Sequence, residues 1–129
     1  LNNQLKHLPG LREPLCPPDA QRIYYNHNTW FLDEENAGFT RNQLCKALLA
    51  EGVKVTEGIY RQQHTCDVYQ EAKWWHHAPT IPAKLPGSDQ ISRTRFHVPL
   101  FHEDAPELIE QYAKAFEKVW AHRDAVAKL

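Results

Sequence analysis

The chain has 129 residues, 42% of them apolar and 11% aromatic, which is the length of one ordinary domain with enough apolar surface to build a core without disulfide or metal staples. Fifteen basic and 16 acidic side chains give a formal charge of −1, so no large positive field gathers phosphates and nonspecific nucleic-acid binding is not favoured by electrostatics. No apolar stretch approaches the roughly 20 residues that cross a bilayer, no cationic-then-apolar leader opens the sequence, and three cysteines without CxxC spacing argue against a disulfide framework. These features set the expectation of a cytoplasmic protein with no membrane and no nucleic-acid partner.

Leu1, Leu5 and Leu8 recur at helical spacing until Pro9-Gly10 stops them. They fit either the tail of a helix that begins upstream or a short N-terminal helix. Pro14, Pro17 and Pro18 keep the following chain extended. Residues 1–20 therefore read as the end of an interdomain helix plus a linker, and residues 21–129 as the domain proper. Residues 22–32 predict a strand rich in Ile23, Tyr24, Tyr25, Trp30 and Phe31. Its polar interior, Asn26-His27-Asn28, fits an edge, a bulge or a face turned to a cleft. Thr40 with Gln43 forms a capping box for a helix through Leu44, Cys45, Leu48 and Leu49, and Gly52 suits the left-handed residue that follows it.

Val53-Lys54-Val55-Thr56 alternates as a strand, and Gly58 ends it. Residues 59–92 read as a long loop, rich in aromatics, histidines and prolines. Residues 95–101 predict the last strand, with Phe96, Val98 and Leu100 on one face and Arg95, His97 and Pro99 on the other. Asp104 and Glu107 then predict a second capping box, opening a helix whose buried stripe is Leu108, Ile109, Tyr112, Ala115, Phe116, Val119 and Trp120. The fold class that follows is α+β, a small, mostly antiparallel sheet covered on one face by two amphipathic helices.

Little of the sequence looks like a self-sufficient catalytic centre. Cys16, Cys45, His64, Cys66, His76 and His77 lack the spacing of a zinc site, and His102-Glu103 lacks the second histidine of an HExxH motif, so no metal site is assigned. Cys66 and His64 stand two residues apart without an oxyanion loop. The segment Gly58 to His64 stands out instead, because a glycine hinge, a phenol, a guanidinium, two amides and an imidazole suit a polyhydroxylated or anionic substrate. The same residues also describe a plain polar connector. Trp74-Trp75 can stack a sugar or simply anchor the loop. Arg93 and Arg95 can meet a substrate carboxylate or phosphate, or surface acids.

The order of an aromatic strand, a capped helix ending Glu51-Gly52, a short strand, Gly58-Ile59-Tyr60 and His64, then Arg95 to Phe101 and a long amphipathic helix resembles a known arrangement. It is similar to the C-terminal small domain of the sugar-aminotransferase family (DegT/DnrJ/EryC1/StrS), fold-type I enzymes dependent on pyridoxal phosphate. The resemblance implies a domain that packs beside a large cofactor domain lying upstream and that works within a homodimer. It further implies an amino acid donor and a keto-sugar or keto-cyclitol acceptor. Tyr60 and His64 match the positions that reach toward the substrate, Arg61 departs from the family's proline-rich pattern there, and Arg93 and Arg95 complete the candidate substrate-binding set. No catalytic residue is assigned to this chain, since the lysine, aspartate and phosphate-binding segment of that chemistry lie upstream in the family. The alternative is a noncatalytic module that grips a carbohydrate or a protein with the aromatic loop of residues 60–77.

Overall fold

In the computed structural model, residues 1–22, 27–58, 60–71, 73, 76–77, 80–82 and 84–129 are described. The expectations placed on Ile23, Tyr24, Tyr25, Asn26, Ile59, Trp74 and Trp75 lie outside these residues. Four short strands, β1 (Leu11–Arg12), β2 (Asn28–Leu32), β3 (Thr56–Glu57) and β4 (Arg95–Val98), form a sheet in the order β1-β2-β4-β3, antiparallel throughout. Trp30 pairs with Phe96 and Phe31 with Arg95, so each strand's alternation is carried across the sheet. One face is apolar, with Leu11, Trp30, Leu32, Phe96 and Val98 buried. The opposite face carries Arg12, Thr29, Phe31, Thr56, Arg95 and His97, with the Arg12 guanidinium 5.5 Å from the centre of the Phe31 ring.

The described residues also form seven helices: α1 (Asn2–Leu5), α2 (Glu34–Ala37), α3 (Arg41–Ala50), α4 (Asp67–Gln70), α5 (Pro86–Thr94), α6 (Pro106–Ala121) and α7 (Arg123–Val126). The core joins the apolar sheet face to Leu44 and Leu48 of α3 and to Phe116, Val119 and Trp120 of α6, with the Phe96 and Phe116 rings stacked 6.4 Å apart. The architecture is α+β, as the sequence patterning predicts. The Thr40–Gln43 capping box forms with both reciprocal hydrogen bonds. At the other end of α3, Gly52 takes φ 85° while Gly52 N–H donates to Leu49 O and Val53 N–H to Leu48 O, closing a Schellman motif.

Several expectations need correction. The last strand ends at Val98 because Pro99 has no N–H for the ladder. Val53 and Val55 are buried, yet ladder pairing starts only at Thr56. Ala105, not Asp104, caps α6, since Pro106 takes its first position and forces the residue before it away from helical geometry. This leaves Leu108, in the first turn of α6, 43% exposed ahead of the packed stretch from Tyr112 to Trp120. Finally, the end of the expected loop is a helix, α5, which lies against β2 beside Phe31.

Candidate functional site

The strand β4 projects Arg95 onto the open sheet face, and the chain leaving β3 closes over it. An ideal Cβ at Gly58 would lie 2.9 Å from Arg95 Nε, so a side chain there would require the arginine head to shift. Arg95 Nη2 then donates to Tyr60 O at 3.0 Å, and Arg41 Nη1 donates to Arg95 O at 3.0 Å, which fixes the arginine at both its backbone and its head. Its Nε is buried and has no hydrogen-bond partner among the described residues.

Around this arginine lies a recess of about 350 Å³ whose polar lining is Tyr60, Arg61, Gln62, Ser88, Ser92 and Arg95. Gln62 Nε2 donates to Asp89 Oδ1 at 3.0 Å, tying the segment after Gly58 to α5. Arg61 donates through Nε to Thr65 Oγ1 at 3.2 Å and through Nη2 to Thr65 O, and its guanidinium stands 3.8 Å from Asp67. The Tyr60 side chain stays largely exposed, with 62% of the residue open to solvent. Two guanidinium groups, a phenol, an amide and two hydroxyls thus converge on one open recess, a set that matches directional bonds to an anion or to several hydroxyls.

Of the five candidate substrate-binding residues, Tyr60, Arg61 and Arg95 come together here, and His64 and Arg93 do not. His64 sits in the 3₁₀ turn Gln63–Thr65, half-buried, and its carbonyl accepts from Gln70 Nε2. Arg93 lines a different cavity on α5 alongside Asp33, Glu34 and Glu35, the acidic surroundings of its plainer reading. The sequence reading missed Ser88 and Ser92. The signal available was their spacing of four, one helical turn apart, which points both to the same side once α5 is recognised.

Other chemistries find less support. Burial, followed by the charge of Glu57, pushes the Cys45 thiol up to about 12, too high for a nucleophile at neutral pH. Cys66 Sγ donates to Gln62 O at 3.8 Å. Among the described residues, no group of three or more histidines, cysteines or carboxylates is placed to hold a metal ion. No helix among them is long and apolar enough to cross a membrane.

The pyridoxal phosphate implied by the resemblance would need a lysine held in a desolvated pocket to form its imine. All eight lysines of this chain are exposed, so its residues do not by themselves fit that cofactor. No protein-family model matches the chain, and no curated protein matches it.

Proposed function

We propose that these residues form the small domain of a pyridoxal-phosphate-dependent aminotransferase that transfers an amino group from an amino acid to a keto-sugar or keto-cyclitol in the cytoplasm. The domain contributes substrate-pocket residues, and the catalytic lysine and most of the cofactor site belong to a large domain outside this chain. The assembled enzyme works as a homodimer. The observation that carries the reading is the buried, unpartnered Nε of Arg95 beside a recess shared with Tyr60 and Arg61. A recess of this kind, left open beside α5 on the sheet face that this helix partly covers, suits closure over a ligand held by a neighbouring domain. Within it, Arg95 and Arg61 bind negative charge or vicinal hydroxyls, Tyr60 supplies a hydroxyl, and Gln62 fixes the wall against α5.

The test uses pyridoxal phosphate and borohydride. Reduction of the 129-residue chain with the cofactor should label no lysine in a way that substrate reverses, and the reading frame preceding Leu1 should encode a large domain with a lysine in a strand-to-turn setting. In that complete enzyme, Arg95→Gln should raise KM for the keto-sugar about tenfold with little change in kcat, the signature of lost uniform binding. Specific, substrate-reversible labelling of a lysine in the 129-residue chain, or no such upstream frame, overturns the assignment.

A further inference from the structure

One residue beyond the buried Phe96, β4 turns His97 onto the same open face as Arg95, and a second cavity of about 350 Å³ lies there. Its polar lining is His27, Lys54, Thr56, His97 and His102: one ammonium, three imidazoles and a hydroxyl, with no carboxylate among them. Glu103 and Asp104 follow His102 in the chain but do not line the cavity.

Two features set this apart from an ordinary surface hollow. His97 is only 6% exposed, with Nδ1 3.0 Å from Thr29 Oγ1 and its ring 4.9 Å from that of His27, yet its Nε2 is shut from solvent and has no hydrogen-bond partner among the described residues. A buried nitrogen left in that state is costly, so natural structures rarely tolerate it without a reason. When the Thr29 hydroxyl donates to Nδ1, the ring proton sits on Nε2 and the unpaired nitrogen is a donor. The second feature is Lys54. Its backbone N–H donates to the Tyr112 hydroxyl at 3.2 Å, which anchors the residue at the rim. Among the described residues its ammonium makes no ion pair, whereas Lys114 and Lys118 pair with Glu110 and Glu51.

We propose that this cavity binds a small oxyanion, the phosphate or carboxylate group of a low-molecular-weight ligand. The Lys54 ammonium supplies the charge, the His27 and His102 imidazoles and the Thr56 hydroxyl supply directional hydrogen bonds, and the buried His97 ring forms part of the wall. The volume exceeds what a bare phosphate needs and suits a ligand with a short organic body. The site is made wholly by this chain and does not rest on the aminotransferase reading.

The experiment is a titration of the 129-residue chain with inorganic phosphate, with acetate and with glycerol, followed through the imidazole NMR signals of His27, His97 and His102. Phosphate or acetate should shift these signals to saturation, and glycerol should not. The tighter-binding anion identifies the source as phosphate or carboxylate. Lys54→Gln keeps the backbone bond to Tyr112 and should weaken binding about tenfold, the loss of one charge-assisted hydrogen bond. His102→Gln, at an exposed position, should weaken it in the same direction. Absence of saturation with both anions, saturable shifts confined to other residues, or unchanged affinity in Lys54→Gln overturns the proposal.

Discussion

His97 shows how one buried side chain ties stability to pH. Burial, followed by the neighbouring His27 and Arg95, lowers its pKa from 6.5 to about 4, so the folded protein holds it neutral at pH 7. In the unfolded chain an imidazole takes up its proton near pH 6.5. Between pH 6.5 and 4 the unfolded state therefore binds the proton and the folded state does not, and stability must fall as the pH drops through that window. The loss by pH 4 is on the order of 3 kcal/mol. Urea denaturation at pH 7 and near pH 4.5 should show this decline, and His97→Phe should flatten it. Should the variant fail to fold, an NMR titration of the native protein decides the matter, because a His97 imidazole that protonates near pH 6.5 in the folded state contradicts the account.

At the scale of elements, α3 and α5 are opposites. The ends of α3 are written locally: Thr40 and Gln43 satisfy each other's backbone amides, and Gly52 enters the left-handed region with nothing within 4 Å of where its Cβ would be. Thr40→Ala should cost about 1 kcal/mol in the urea midpoint, while no measurable change would show that the box is redundant with the burial of Leu44 and Leu48. The other helix has no such marks. It starts at Pro86 without a side-chain cap, buries only Thr94, and leaves Ile91 47% exposed, so no apolar stripe announces it.

That difference explains how much of the site was legible. The face assignments of Arg95 and His97 followed from strand alternation, and Tyr60 and Arg61 from their place after a glycine. The wall made by Ser88 and Ser92 depended on a helix that hides almost nothing. His64 rests on the family resemblance and Arg93 on its place just ahead of the last strand, and the 3₁₀ turn and α5 carry them elsewhere.

For the molecule as a whole, the N-terminal segment decides where the domain begins. Residues 1–20 were expected to be a helix end and a linker, yet Leu5, Leu8 and Leu11 lie in the same core as Phe116 and Trp120, and β1 extends the sheet. Trp120 Nε1 donates to Pro9 O at 2.9 Å, and Asp33 N–H donates to Gly10 O at 2.8 Å, so the segment is tied to both α6 and the entry to α2. Gly10 itself has φ 76°, and a Cβ there would stand 2.5 Å from Asp33 O, so no other residue fits this turn without moving backbone. Removing a buried leucine side chain costs about 2–5 kcal/mol, and three of them together approach the roughly 5–15 kcal/mol that holds a whole domain folded. A chain beginning at Glu13 should therefore lose its cooperative urea transition, and Leu8→Ala alone should lower stability by about 2–4 kcal/mol. If the truncated chain instead melts at the midpoint of the full one, these leucines cover the core without holding it, and the domain begins after them.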